Sequence, residues 1–261
     1  MKRILSMTAG VVLALGSAAA MTVDEAKAFM TESRTRFLSA NSYHIEYVTT
    51  TMGIPTESRC WIRRDAKKGV SVLNESQTMP FGFPMPKMTQ LATEGNVYLL
   101  SALAPNKALH LNFVAPGDLA DVFCNFFTEG GTVEPVSDAK DKCVIKFTPS
   151  AAEHLKMGEQ AAASVVPIPG GVPASFRYTF KKPSKDISEI VGLNEKGEES
   201  LKVAVSKLEL NAKVEDSYFV LPKGYEVVEL KSAAEAAKAL TDGLLPAPKA
   251  SASKASAPKA K

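Results

Sequence analysis

The sequence predicts an α+β fold: a large antiparallel sheet, apolar on one face, with helices before, between and after its strands. Three observations carry that reading. Segment after segment alternates apolar with polar residues, the signature of strands with one wet face. Turn-forming clusters punctuate those segments at short intervals. Three Ser/Thr-x-x-Glu phrases stand at the start of runs with helical spacing, where each would cap a helix.

The elements follow in order. Thr22 and Glu25 form the first capping box, and Val23, Ala26, Met30 and Phe37 recur close to helical spacing, predicting a helix that ends near Ser39-Ala40-Asn41. Tyr43, Ile45 and Tyr47 then alternate with His44 and Glu46. Past the turn Gly53-Ile54-Pro55, residues Cys60 to Arg64 and Gly69 to Leu73 read as strands. Val97 to Leu103 and Ala108 to Phe113 flank the turn Pro105-Asn106-Lys107. Leu119, Val122, Phe123 and Phe126 follow the helical rule, with Gly130 placed to stop that helix. The strand Cys143 to Phe147 precedes a second capping box, Ser150 and Glu153, whose helix runs towards Ser164. Phe176, Tyr178 and Phe180 alternate with Arg177, Thr179 and Lys181. Ile187 to Leu193 and Leu201 to Leu210 make a hairpin around Asn194-Glu195-Lys196-Gly197. In its second strand the apolar phase slips between Val205 and Leu208, which predicts a bulge near Ser206-Lys207. Ser232 and Glu235 open a last helix.

Both ends of the chain fall outside this pattern. Lys2 and Arg3, the apolar run Ile4 to Leu15 and the small residues Ala18-Ala19-Ala20 predict a cleavable signal peptide over residues 1–20. The apolar run is too short to remain as a membrane span, and no cysteine stands at the cleavage point for lipid attachment. Export to the periplasm as a soluble chain is the expectation, with the folded domain over 21–245. From Pro246 the chain holds only Ala, Ser, Lys and Pro, a composition unable to bury enough apolar surface to order itself. Residues 246–261 are expected to be a flexible cationic tail, either merely solvated or touching anionic surfaces. Setting aside Lys2, Arg3 and the four tail lysines turns the formal net charge of +3 into −3 for residues 21–245. A mildly acidic domain argues against nucleic acid as a partner.

The Pro-, Met- and Phe-dense stretch Met79 to Pro86 suits neither a helix nor a central strand. It is either a loop folded onto the core edge or an adaptable apolar lip. Of three cysteines, Cys124 and Cys143 enclose the shortest loop, so an oxidising compartment would pair them, stabilising the fold by roughly 3 kcal/mol. Cys60 is then left free and buried beside Trp61. His44, His110 and His154 stand far apart and in no metal-binding spacing, and the parity of His44 and His110 predicts exposed positions. No nucleophile elbow or phosphate cradle appears, so neither an enzyme nor a cofactor or metal site is expected.

The phrases Ile187-Ser188-Glu189-Ile190, Asn194-Glu195-Lys196-Gly197 and Leu208-Glu209-Leu210-Asn211, continued by Val214-Glu215-Asp216-Ser217-Tyr218-Phe219-Val220-Leu221-Pro222-Lys223-Gly224-Tyr225-Glu226-Val227-Val228, resemble the LolA-like family of periplasmic outer-membrane lipoprotein carriers. Glu94-Gly95-Asn96-Val97-Tyr98-Leu99-Leu100 is similar to that family's acid-Gly-x-aromatic strand start. The resemblance implies a half-open, unclosed antiparallel β-barrel whose concave apolar face is covered by helices. It also implies a non-enzymatic carrier or chaperone that takes acyl chains of lipoproteins, or another lipid, between membrane-bound donor and acceptor proteins. Where the family has a basic residue, Pro and then Phe-Arg to latch its lid, this chain reads Arg63-Arg64-Asp65-Ala66-Lys67-Lys68-Gly69-Val70, with Arg64 alone matching. Trp61, Phe81, Phe83, Leu99, Leu111, Phe113, Phe123, Phe126, Phe176, Tyr178 and Phe180 are the candidates to line the cavity, and each would serve equally as plain core. An envelope sensor or structural module that binds a partner protein with the same fold is the alternative.

Overall fold

The computed structural model describes residues 21–124, 130–163 and 171–244; the expected signal segment, Phe126 and the Lys-rich tail lie outside them. Helix α1 (Val23–Leu38) begins at the expected box, with Thr22 accepting from the Glu25 backbone and the Glu25 carboxylate accepting from the Thr22 N–H at 2.7 Å. It buries Ala26, Met30, Ser33 and Phe37. Its last turn is fastened to the sheet: the Tyr43 hydroxyl donates to the Phe37 carbonyl at 2.6 Å, and Arg64 donates to that hydroxyl at 2.7 Å. Arg64 thereby neutralises the negative end of the helix dipole as well as holding the ring.

The strands are β1 (Ser42–Thr51), β2 (Ile54–Asp65), β3 (Gly69–Thr78), β4 (Met88–Thr93), β5 (Asn96–Ser101), β6 (Lys107–Leu111), β7 (Gly131–Asp138), β8 (Lys142–Pro149), β9 (Ser175–Lys181), β10 (Asp186–Leu193), β11 (Glu199–Leu210) and β12 (Glu226–Leu230). They form one 12-stranded sheet in the order β12-β6-β5-β4-β3-β2-β1-β11-β10-β9-β8-β7. All neighbours are antiparallel except β12, which lies parallel to β6. The outermost strands, β12 and β7, do not pair with each other, so the barrel is unclosed. Helices α2 (Pro116–Cys124), α3 (Ala151–Ala163) and α4 (Ala233–Leu244) complete the α+β fold.

Two local devices set the register. Between β1 and β2, Met52 and Gly53 both have positive φ (52° and 78°), the backbone of a two-residue hairpin turn that matches strand twist. Between β1 and β11, Glu46 faces Lys207 but Tyr47 faces Val205, leaving Ser206 as the extra residue of the expected bulge. Its hydroxyl donates to the Glu46 carbonyl at 3.1 Å. The bulge returns Val203 and Val205 to the same face as Leu208 and Leu210, all four joining the core.

One contiguous core fills the space between the sheet and the helices. It combines Ala26, Met30 and Phe37 of α1, Leu119 and Ala120 of α2 and Ala236 of α4 with the inward residues of the strands. α1 lies mainly against β7, α2 against β3 and β4, α3 against β8 and α4 against β12. The second and third capping boxes start α3 and α4, with Ser150 and Ser232 accepting from the backbone of Glu153 and Glu235. In the third, the Glu235 carboxylate reaches past Ser232 to the Lys231 N–H at 2.8 Å. The Met79–Pro86 stretch does not fold onto the core. It makes a 3-10 turn at Pro80–Gly82 and presents Phe81 and Phe83 to solvent at 94% and 75% exposure.

The concave apolar face and its covers

On β9, side-chain alternation turns Phe176, Tyr178 and Phe180 to the inner face, stacked with centroids 6.2 and 6.1 Å apart. Phe29 of α1 meets Phe180 edge-on at 5.3 Å. Cys143, Ile145 and Phe147 of β8 lie beside them, all buried. Leu99 and Leu111 join the same core from the other half of the sheet, and Phe113 packs against it half-buried. Burial pushes the Tyr178 hydroxyl far above its ordinary pKa. The inner face thus gathers six of the predicted cavity residues. The Phe123 side chain lies outside the described residues, as does Phe126.

Three predictions need correction. Trp61 is on the opposite face: Cys60 and Ile62 beside it are fully buried inward, while Trp61 points out between His44 and Tyr218. Cys60 and Trp61 are therefore neighbours in sequence but on opposite sides of the sheet, as strand geometry demands. Phe81 and Phe83 project from the β3–β4 loop into solvent rather than towards the inner face. The bridge expected at Cys143 is not formed: its thiol is free and buried on β8, whereas α2, which ends at Cys124, packs on β3 and β4. Burial, reinforced by Asp138 and offset by Lys182, raises the Cys143 pKa, keeping it a protonated, unreactive thiol.

The outer face has its own cover. Residues after β11 cross back over β1–β5 through a 3-10 turn, Asp216–Phe219. His44, Trp61 and Tyr218 stack in series at 4.9 and 5.3 Å. Asp216 pairs with Arg63 and with Lys68, the latter at 3.2 Å, and the Arg63 guanidinium lies 4.8 Å over the Phe219 ring. Neither histidine expected at the surface is free of contacts. His44 lies within 3.4 Å of carboxylate oxygens of Glu46 and Glu209, and His110 Nδ1 sits 2.8 Å from Glu229. A groove of about 360 Å³ remains between this strap and the sheet, with Leu73, Leu100, Tyr218 and Tyr225 among its lining.

Residues that the sequence reading passed over stand on the inner face of β3 and β4. Asn74 is buried and donates to Gln90 Oε1 at 3.1 Å, while its own Oδ1 has no partner. Among the described residues no cluster of His, Cys, Asp and Glu is arranged to hold a metal ion, and no helix is long and apolar enough to cross a membrane.

No protein-family model and no curated protein sequence matches the chain. Solved structures do. The chain is similar to LprF from Mycobacterium bovis (12% identity, 75% of this chain and 97% of that one, TM-score 0.47). It is similar to a chain of the Pseudomonas aeruginosa MucA/MucB complex (14% identity, 79% and 64%, TM-score 0.43). It is also similar to a LolA superfamily protein from Nitrosomonas europaea (10% identity, 75% and 97%, TM-score 0.30). At such identities the likeness concerns architecture alone. The unclosed sheet with helices on its apolar face is the architecture expected from the sequence.

Proposed function

We propose that this chain is a non-enzymatic carrier of the periplasm that shields acyl chains, of lipoproteins or of another lipid, against its concave face. The observation that carries this reading is the apolar inner floor of β8 and β9, Cys143, Ile145, Phe147, Phe176, Tyr178 and Phe180, roofed by separate short helices rather than by a second sheet. Each methylene moved from water to such a floor gains about 0.8 kcal/mol, so a chain-length ligand needs few directed contacts. Helices that each rest mainly on one or two strands are covers that can lift. Native mass spectrometry of the mature chain purified from its own envelope tests this. Bound lipid, and uptake of a fluorescent fatty acid after its removal, are the expected results. A ligand-free mass with no uptake would sink the carrier.

The partner-binding module is the second reading, and two observations favour it. The inner pocket between α1 and the β1–β11 seam holds only about 10 Å³, so the interior is filled there. The exposed tip of Met52, Phe81, Phe83 and Met85 offers an apolar contact surface instead. A lipid-free protein whose envelope retention depends on Phe81 and Phe83, or on the Lys-rich tail, would transfer the function to this reading.

A further inference from the structure

Strand register places the inner side chains of β1–β5 in three parallel rows. The first runs Tyr43, Ile62, Val72, Ala92, Val97. The second runs Ile45, Cys60, Asn74, Gln90, Leu99, and the third Tyr47, Ser58, Ser76, Met88. Successive rows stand ~7 Å apart along the strands. Chemistry therefore changes along one direction, from all-apolar through an amide pair to hydroxyls, and no row contains a charged side chain. The third row points towards the Met52 and Phe81 end of the sheet.

The middle row holds a buried polar atom without a hydrogen-bond partner. Asn74 is only 4% exposed, and with Nδ2 given to Gln90 its Oδ1 has no donor. Turning both amides over would pair Oδ1 and leave Nδ2 stranded instead. Either orientation costs the desolvation of one polar atom, so its complement is a group that both donates and accepts: an amide or a hydroxyl. An ionised head would lie here without counter-charge, which a buried site does not tolerate.

We infer that Asn74 and Gln90, with Tyr47 and Ser58 beside them, form a headgroup subsite for a neutral amphiphile, an acyl chain ending in an amide or hydroxyl head. The inference rests on the carrier reading and adds to it a ligand class and a direction. The chain lies along the first row towards Phe37, and the head faces the Asn74 amide. α2, packed on β3 and β4, covers this part of the face and lifts to admit the ligand.

The test displaces the probe 1-N-phenylnaphthylamine from the mature chain with ligands sharing one palmitoyl chain: palmitamide, monopalmitin and methyl palmitate, whose neutral head accepts but cannot donate. Palmitamide and monopalmitin are expected to bind about tenfold more tightly than methyl palmitate, the value of one directed hydrogen bond in a buried site. Asn74→Leu and, separately, the volume-conserving Gln90→Met should keep probe binding and level that order. If neither probe nor lipid binds, the carrier reading fails and the subsite with it. If lipids bind but the wild-type order is flat, or the order survives both substitutions, the carrier stands and the subsite is overturned. A rise in stability of Asn74→Leu with the order unchanged marks Asn74 as a burial cost met by water alone, and equally overturns it.

Discussion

Two aromatic clusters sit on opposite faces of the same sheet and are held by different physics. The inner one, Phe176, Tyr178 and Phe180 with Phe29, is at most 6% exposed on β9 and is ordered chiefly by exclusion of water. The outer one, His44, Trp61 and Tyr218, is half-buried under a strap from far along the chain and is fastened by Asp216, Arg63 and Lys68. The first persists wherever the sheet persists. The second depends on charges at the surface, which salt and pH can weaken. A sheet can thus own two greasy faces, one structural and one conditional.

The comparison can be broken by substitution. Phe180→Ala should cost about 3–5 kcal/mol in urea unfolding, since the ring is fully buried in close packing. Tyr218→Ala should cost only about 1 kcal/mol, the value of an aromatic pair. Trp61 is the sole tryptophan, so its emission reports the outer cluster. Tyr218→Ala should shift that emission to the red, and Phe180→Ala should leave it unchanged while the protein stays folded. Equal losses would erase the distinction. The smallest effect belongs to pH. The hydrogen bond from Arg63, then that from Lys68, holds the Asp216 carboxyl below the usual aspartate range. A lowered folded pKa makes the strap's contribution complete above the ordinary value of about 3.9, and lost as pH falls through the folded value. Acidification through that window should redden Trp61 emission. Asp216→Asn should be reddened already at neutral pH and show no acid step.

Much of this was legible in the residues. Alternation in Tyr43–Tyr47 and Phe176–Phe180, the phase slip at Ser206 and the three capping boxes each correspond to a structural element, because each is a local rule with a local cause. β4 and β7 were not legible. Met88–Thr93 is mixed in character, and Gly131–Asp138 is a polar edge strand interrupted by Pro135. The parallel sense of β12 depends on a partner more than a hundred residues away. Parity also does not say which side of a strand is inside. Trp61 alternates correctly with Cys60, but the strap that buries it lies outside its own segment. Asn74 was missed because β3 was read as ending at Leu73; carried on to Thr78, the parity of Val72 puts Asn74 inward.

The β1–β11 seam has a consequence for how the molecule is made. The meander β1 to β6 forms from consecutive hairpins, yet both of its borders are completed by the last strands of the chain, β11 against β1 and β12 against β6. Until residue 210 has left the ribosome that meander carries two naked edges, and until residue 230 it still carries one, the condition in which sheets stick to one another. Closing them requires contacts of very long sequence separation, which makes the final step slow. A stop between β10 and β11 therefore does not trim the protein; it leaves the first half of the sheet unsealed on both sides, and a stop between β11 and β12 leaves it unsealed at β6.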